Sequence, residues 1–490
     1  MNLARHALLF LVAPILLLAG CATRPVNPPI TSVSPTEGYR LATRPIIART
    51  PDSLVILTFS GGGTRAAAFS YGVLEVLRQT EVAEAGGRKA RLIDYVDAIT
   101  GVSGGSFTAL AYGLYGDKLF SDYETRFLKR NVQGDLMMRL FMPGNWPALT
   151  SDTYGRSEMA AQLYDEILFN NATYADLVKG DGPFIAVMGT DISTGSRVGF
   201  NQTMFDVLCS DLSTVRLSRA AATSSAVPLV LSPVTFNNYG GTCGYKPPGW
   251  LTIATDPDNP PRPAARAIKR MEEIMAYSDG KATPFVHLVD GGLADNLGMR
   301  AVLEVLEEFE AARYRNVKTP LDDVKRIIVV VVNSLSVPRN NWSQSERPPG
   351  SIEILLKATG VPIDRYSSET VELLRDMIAR WDTMRRIRES GAIDVSKDPL
   401  LVGIMSAPAA RLYAIDVSFP RLKDVAEFEY LNDLPTSFVL PAEAVDRLRA
   451  AAGTILLESP DFRRLLNDIG AKVVSDPAKP SPAVKAVAPK

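Results

Sequence analysis

Ser103 lies in a pattern that places a nucleophile on a sharp turn. It is the central residue of Gly-Val-Ser-Gly-Gly at 101–105, a G-x-S-x-G motif between an apolar strand and an apolar helix. A serine on such a turn is held in a strained conformation, with its hydroxyl near the positive end of the helix. This arrangement favours attack on an ester carbonyl. An ordinary glycine turn has the same letters, so the motif alone leaves both interpretations open.

A glycine loop follows the first predicted strand and precedes its helix, and it consists of Gly61, Gly62 and Gly63. Backbone N–H groups at a helix N-terminus favour negative charge, either a phosphate or the oxyanion of acyl transfer. The loop lacks the lysine and spacing of a Walker motif and does not fit G-x-G-x-x-G, so an oxyanion hole is the better interpretation. Arg65 follows the loop. It can orient the loop, meet a phosphate headgroup, or lie solvated at the helix start.

The histidine content restricts the choice of a base for Ser103. The chain has two histidines, and His6 lies in a predicted export signal, which leaves His287. A Ser-His-Asp triad would need His287, three residues before Asp290 on a predicted strand. Because side chains alternate along a strand, an odd separation points these two side chains to opposite faces. We therefore expect His287 to be a packed or hydrogen-bonded strand residue rather than the base.

Asp290 begins Asp-Gly-Gly at 290–292, at the C-terminal end of an apolar strand. Active sites of open α/β sheets lie at such ends. The two glycines permit a tight turn and a close approach to Ser103, whose proton a nearby carboxylate can accept directly. An aspartate before glycine also commonly caps the turn through its own backbone, so both roles stay open.

The order of these motifs along the chain strongly resembles the patatin-like phospholipase family. The matching segments are Gly-Gly-Gly-Thr-Arg at 61–65, Gly-Val-Ser-Gly-Gly at 101–105 and Asp-Gly-Gly at 290–292. The segment 219–228 also resembles the family's stretch of small residues and proline, and 290–298 resembles its Asp-Gly-Gly-x-x-x-Asn block. The resemblance covers about residues 54–335.

The resemblance implies a Ser-Asp dyad with Ser103 as nucleophile and Asp290 as base. The oxyanion site would then include Gly61, Gly62, Gly63 and Arg65. The implied activity is hydrolysis of carboxylic esters in a lipid or phospholipid through an acyl-enzyme. The alternative is a catalytically inactive patatin-like envelope lipoprotein that binds lipid or a protein partner, although both dyad residues are present.

The elements around the motifs predict an α/β fold. Short apolar runs that predict buried strands lie at 54–59, 96–100, 183–190, 285–289 and 326–332. Strand, glycine turn and helix occur twice in succession, which is typical of a largely parallel sheet with helices on its faces. Together with the resemblance, this predicts a three-layer α/β/α patatin-like fold with a mainly parallel central sheet and helical insertions. The longest insertions lie at 119–180 and 349–389.

The composition is that of a globular protein without a strong charge. The 490 residues are 46% hydrophobic and 22% charged, with a formal net charge of -1, so the chain lacks the basic field that recruits nucleic acid. With two distant cysteines and one histidine after the signal, no dense zinc-type ligand cluster is visible. We therefore expect no nucleic-acid partner, no metal and no cofactor, and the lipid or ester substrate is what the resemblance implies.

Residues 1–20 are predicted to be a lipoprotein signal peptide. Arg5 precedes an apolar run at 7–19 that is short for a transmembrane helix, and Leu-Ala-Gly-Cys at 18–21 resembles a bacterial lipobox. Cys21 is then the lipidated residue that anchors the chain to a membrane; a plain secretory signal with a chance cysteine is the alternative. Ala22 is not the aspartate that commonly retains lipoproteins at the inner membrane. The expected location is the bacterial cell envelope, at the outer membrane facing the periplasm.

The remaining chain is predicted to have four parts. Residues 21–50, which begin with a stretch at 22–29 that has three prolines, form a tether, and 51–340 form the catalytic domain. Residues 341–475 form a helical or mixed extension packed on that domain, and 476–490 form a disordered tail. Cys209 and Cys243 are free to form a disulfide outside the cytosol, or they are two buried thiols.

Overall fold

A computed structural model describes residues 23–41, 44, 52–83, 89–247, 249, 265–314, 317–319, 322, 324–339, 342–391 and 409–475. The predicted signal peptide at 1–20, the predicted lipidation site Cys21 and the predicted tail at 476–490 lie outside the described residues. No helix in the described ranges combines the length and apolar character needed to cross a bilayer.

The strands form one large and one small sheet. In chain order they are β1 (Ser53–Phe59), β2 (Thr80–Ala83), β3 (Lys89–Arg91), β4 (Ala98–Gly101), β5 (Phe184–Asp191), β6 (Arg197–Phe200), β7 (Val234–Asn237), β8 (Phe285–Asp290), β9 (Arg326–Asn333), β10 (Arg411–Ser418) and β11 (Ala471–Val473). The central sheet has the order β10-β9-β1-β4-β5-β8-β7, with β6 beside β5, and β11-β2-β3 form the small sheet. Neighbours from β10 to β5 are parallel, whereas β6, β7 and β8 run antiparallel to their partners.

The helices pack against this sheet and against each other. They are α1 (Gly63–Gln79), α2 (Gly104–Tyr115), α3 (Leu119–Tyr123), α4 (Val132–Phe141), α5 (Trp146–Leu149), α6 (Arg156–Tyr164), α7 (Tyr174–Lys179), α8 (Gln202–Val207), α9 (Leu217–Ser224), α10 (Ala265–Tyr277), α11 (Gly292–Asp295), α12 (Arg300–Tyr314), α13 (Ser351–Ser390), α14 (Val425–Asn432), α15 (Ala442–Glu458) and α16 (Pro460–Ile469). Short 3₁₀ turns lie at Leu92–Tyr95, Gly116–Lys118, Pro143–Asn145, Trp342–Gln344 and Phe419–Arg421, and π-helical turns at Glu124–Leu128 and Asp165–Phe169.

The predicted fold class is confirmed. Strands occupy the five segments that the apolar runs predicted, and the predicted insertions at 119–180 and 349–389 are largely helical. The clearest sequence signal was the apolar run that became β9. No residue from Ile327 to Val332 is more than 2% exposed, because β9 lies between β1 and β10.

The direction of β8 differs from what the sequence argument assumed. That argument placed Asp290 where the carboxyl ends of parallel strands meet, but β8 is antiparallel to β5, and Asp290 pairs with Gly189. Since β4 ends where Gly101 pairs with Val187, β5 continues past the end of β4. Asp290, the last residue of β8, therefore lies near the turn that follows β4.

The predicted tether is partly wrong. Residues 23–41 form no regular helix or strand, as their prolines predict, but they pack on the domain instead of standing free. Asn27 is 3% exposed, because its side-chain amide donates to Ser210 Oγ at 2.7 Å and to the Asn237 carbonyl at 2.9 Å. Tyr39 is also buried, with its hydroxyl accepting a hydrogen bond from the Ile185 N–H. These partners are far away in sequence, so the local pattern gave no sign of them.

The predicted boundary at residue 340 does not coincide with an edge of the sheet. Strand β10 extends the parallel sheet beyond β9, and α15 packs on α1. The long helix α13 buries Leu374 and Trp381. Residues after 340 therefore complete the sheet as well as cover it.

Cys209 and Cys243 are buried and joined by a disulfide. Their sequence separation is 34, so the bond is expected to stabilise the fold by about 3 to 4 kcal/mol through the smaller entropy of the unfolded chain. The Cys209 carbonyl accepts a hydrogen bond from the Ile30 N–H at 2.9 Å. The disulfide thus lies where the N-terminal segment joins the domain.

Candidate active site

Ser103 occupies the turn between β4 and α2. Its backbone has φ 48° and ψ -122°, a conformation that costs a non-glycine residue free energy and is common at functional sites. The strained turn that the motif predicted is therefore present. A side chain at Gly104 would put its Cβ 2.0 Å from the Gly63 carbonyl oxygen, so only glycine lets α2 begin this close to the glycine loop.

Asp290 lies at the end of β8, 8% exposed, with its carboxylate close enough to the Ser103 hydroxyl for that hydroxyl to affect its pKa. Its Oδ1 accepts from the Gly292 N–H at 2.7 Å. The two roles that the sequence left open, turn cap and partner of the serine, thus coexist in one carboxylate. Burial raises the pKa of Asp290 to about 6, against the opposing effect of the Gly292 N–H and the nearby Ser103 hydroxyl. The carboxylate is therefore ionised at neutral pH and still basic enough to accept a proton.

One short segment holds the backbone of both residues. Ser224 Oγ accepts the Ser103 N–H at 2.9 Å, and the Ser224 carbonyl accepts the Gly291 N–H at 3.1 Å. Two residues on, the Ala226 carbonyl accepts the Asp290 N–H at 3.0 Å. Sequence reasoning did not single out Ser224, although the small-residue stretch at 219–228 contains it. This segment fixes the relative positions of the serine turn and the end of β8.

The glycine loop lies directly beside the serine turn. A Cβ on Gly61 would lie 3.2 Å from the Ser103 Cβ and 2.5 Å from Asn296 Oδ1. The Gly61 N–H donates to the Asn296 carbonyl at 3.0 Å, so it is not available for an oxyanion, and the prediction that includes Gly61 as a donor is wrong. Gly61 instead leaves room for the side chains of Ser103 and Asn296, because it has no side chain of its own. Within the described ranges, the N–H groups of Gly62 and Gly63 donate to no protein acceptor, as expected for the first residues of a helix.

Arg65 is buried, where it supports the glycine loop, and it does not line the site. It is 2% exposed, and its guanidinium donates to the Ser334 carbonyl at 2.8 Å, the Leu434 carbonyl at 2.7 Å and Thr436 Oγ1 at 3.1 Å. Of the three roles that the sequence left open, only that of orienting the loop agrees with these contacts. Arg65 therefore connects the glycine loop to the C-terminal part of the chain.

His287 points away from the site. It is exposed on β8, with Nδ1 3.0 Å from Thr235 Oγ1 on the neighbouring strand, whereas Asp290 is buried. The alternation of side chains along the strand predicted this separation. Among the described residues, no group of three or more histidine, cysteine, aspartate or glutamate side chains is placed to hold a metal ion.

Comparison with protein families gives one match. A family model described as patatin-like phospholipase matches residues 57–303, about half of the chain. The matched range contains Ser103, Asp290 and the glycine loop. No curated protein sequence matches the chain.

Several solved structures are similar to this fold at low sequence identity. Human GIVD cytosolic phospholipase A2 has a TM-score of 0.42 and 13% identity, covering 92% of this chain and 66% of that chain. The same human enzyme in complex with methyl gamma-linolenyl fluorophosphonate has a TM-score of 0.40 and 12% identity, covering 86% and 59%. VipD from Legionella pneumophila has a TM-score of 0.30 and 10% identity, covering 92% and 72%. The chain thus spans less than two thirds of the length of the human structures.

Proposed function

Because the chain belongs to the patatin-like phospholipase family, we propose that it hydrolyses carboxylic esters of lipids or phospholipids through a Ser103–Asp290 dyad. Family membership supports a lipid ester hydrolase. The observation that carries the finer proposal is the position of the Ser103 hydroxyl beside the buried Asp290 carboxylate, with one segment, Ser224 to Ala226, holding the backbone of both residues. No cofactor takes part in the proposed reaction.

In the first half-reaction, Ser103 Oγ forms a bond to the ester carbonyl carbon while its proton passes to Asp290. The carbonyl oxygen becomes an oxyanion, and we assign its stabilisation to the N–H groups of Gly62, Gly63 and Gly104. When the tetrahedral intermediate collapses, the ester C–O bond breaks, and the alcohol leaves with the proton from Asp290. The acyl group then remains on Ser103.

In the second half-reaction, water attacks the acyl carbon while Asp290 takes one of its protons. The second tetrahedral intermediate collapses with cleavage of the bond to Ser103 Oγ, which recovers the proton from Asp290. The free acid is released, and the carboxylate is restored. Asp290 accepts and returns a proton in each half, and a pKa near 6 suits both directions.

A lipid-like fluorophosphonate tests the proposal against the inactive alternative. Such a probe phosphonylates only an activated serine, so we expect a stoichiometric adduct on the peptide that contains Ser103, located by mass spectrometry. The matched control is pre-denatured protein, which should not react. Absence of an adduct on the native chain, while it still binds lipid vesicles, would favour the inactive envelope lipoprotein.

We further propose that the protein is anchored through lipid on Cys21, in the bacterial outer membrane facing the periplasm. The lipobox-like residues at 18–21 support this assignment. We expect wild-type protein to incorporate an alkyne fatty acid and to stay with membranes in high salt, because several acyl chains give stable anchoring. Cys21→Ser should lose the label, and Ala22→Ser, which keeps the thiol, should retain it. A periplasmic wild-type protein with a free N-terminal amino group would contradict the anchor and leave the hydrolase proposal intact.

A further inference from the structure

An exposed apolar surface lies on the insertion that follows α3. We call it the docking face, and its exposed fractions lie between 46% and 66%. Its residues are Met137, Met138, Phe141, Met142 and Trp146. Large apolar side chains grouped on a surface mark a contact with a partner or a membrane.

The composition of the docking face is suited to lipid. Residues 136–149 contain a single charged side chain, Arg139, and it is ion-paired with Glu166. The face therefore presents no unpaired charge that would have to leave water. Tryptophan is enriched at the level of lipid headgroups, where its ring is apolar and its N–H stays hydrated.

The docking face begins beside the glycine loop of the candidate site. In the first turn of α4, the Gln133 N–H donates to the Phe438 carbonyl at 3.2 Å, and Gln133 Oε1 accepts from Ser437 Oγ at 2.8 Å. The Ser437 carbonyl in turn accepts the Thr64 N–H at 2.8 Å, at the start of α1. Only one loop therefore separates α4 from the glycine loop.

A second group of exposed apolar side chains follows a segment that contacts the site. Leu229 and Val230 are 55% and 63% exposed, and they follow the segment whose Ala226 carbonyl holds the Asp290 N–H. The next residues contact the insertion that carries the docking face, because Ser232 Oγ accepts the Ser157 N–H at 3.1 Å in the first turn of α6. Exposed apolar side chains thus lie next to two segments that contact the site, the loop at 437–438 and the segment at 224–226.

The described chain also starts on this side of the molecule. Thr23 and Tyr154 line one cavity of about 300 Å³, and Tyr154 follows α5 closely in sequence. Because Asn27 is fixed by hydrogen bonds, the chain cannot act as a long spacer. Cys21 is two residues before Thr23, a reach of about 7 Å at full extension. A lipid on Cys21 would bring the bilayer to this face.

We propose that the docking face inserts into the headgroup region of a lipid bilayer and holds the Ser103 site next to the membrane. This inference rests on the proposed lipid hydrolase function and names the physical form of its substrate as lipid in a bilayer. Of the possible partners of this face, a lipid surface also agrees with the position of Cys21. It would place the site beside its lipid substrate. A second copy of the chain bound to this face would instead separate the site from the bilayer.

Fluorescence quenching of Trp146 tests the insertion directly, whether or not the anchor is present. The full-length protein is mixed with phosphatidylcholine vesicles brominated near the headgroup end of the acyl chains. The difference between wild type and Trp146→Phe isolates the signal of this residue, and we expect strong quenching of it, whereas Trp381, which is 2% exposed, should be unaffected. An unquenched Trp146 would overturn the proposal.

Charged substitutions in the docking face give the functional counterpart. In Met138→Glu/Phe141→Glu, two carboxylates must enter the headgroup region, so we expect loss of Trp146 quenching and a fall of about tenfold or more in vesicle hydrolysis. Hydrolysis of a soluble short-chain ester should stay unchanged. The matched control is Val178→Glu, 44% exposed on α7, which packs near Gly113 at the far end of α2, about 15 Å along the helix from Ser103. It should leave both rates unchanged.

The outcomes separate this inference from the hydrolase proposal. Quenching of Trp146 without hydrolysis of any ester would refute the proposed function, and ester hydrolysis without quenching would refute the docking. Equal loss on both substrates in the double variant would show damage to the site and overturn the docking role. A protein that is dimeric without lipid, and made monomeric by the double variant with no change in quenching, would assign the face to a second copy.

Discussion

Ser103→Ala is expected to lower ester hydrolysis by about 10⁴-fold or more, on soluble and vesicle substrates alike, because it removes the group that forms the acyl-enzyme. The fold should be unchanged. Alanine has the same Cβ as serine, so the strained backbone at this turn costs no more in the variant, and the contact from the Ser103 N–H to Ser224 Oγ is kept. Initial rates measured with excess enzyme, together with near-UV circular dichroism, would establish both points.

The control for this substitution is Ser121→Ala, which removes an exposed hydroxyl at α3 that donates to the Lys118 carbonyl. It should leave the rate within about twofold, as expected for surface changes. If Ser103→Ala kept a tenth of wild-type turnover, the nucleophile would have to be another residue.

The parts of this site that sequence could predict are the ones encoded locally. The turn at Ser103 is signalled by its immediate neighbours, because Gly101, Gly104 and Gly105 all lie within two residues of the serine. The opposite orientation of His287 and Asp290 follows from the pleat of a single strand. Such features need no knowledge of which segments meet in space.

The features that sequence reasoning missed all depend on partners distant in the chain. The sequence left open whether Arg65 orients the loop, meets a phosphate headgroup or lies solvated, and the choice depends on Leu434 and Thr436, more than 360 residues later, which take up its donors. The antiparallel direction of β8 depends on the path that the chain takes between β5 and β8. The packing of Asn27 depends on Asn237, 210 positions away. Local periodicity carries no information about such pairings.

The raised pKa of Asp290 could not be predicted from the sequence either, since its main cause is burial. The sequence places no charged residue next to Asp290, and burial is the largest cause of its raised pKa. A buried carboxylate with no cationic partner is a basic group that opposes folding when it is ionised. The same residue should therefore affect activity and stability in opposite directions.

Asp290→Asn is expected to lower kcat/KM by about 10³-fold or more, because an amide cannot accept the proton from Ser103. In the wild type, kcat/KM on a soluble ester should be half-maximal near pH 6 and level off at higher pH, since only the ionised carboxylate acts as base. The control is His287→Gln, which should be far milder and should keep the same pH profile. A loss with His287→Gln as large as that with Ser103→Ala would restore the Ser-His-Asp triad.

The same variant should be more stable than the wild type. The folded-state pKa of Asp290, about 6, lies above the ordinary 3.8, so the folded protein binds more protons than the unfolded chain between these values. Wild-type stability should therefore fall as pH rises through this window, by about 3 kcal/mol once the carboxylate is fully ionised. Asparagine carries no charge, so Asp290→Asn should have a higher thermal midpoint at pH 8, and its advantage should shrink at pH 5. Calorimetry of both proteins at the two pH values measures this difference. An inactive variant with no gain in stability at pH 8 would mean that the Asp290 carboxylate is better solvated than its 8% exposure indicates.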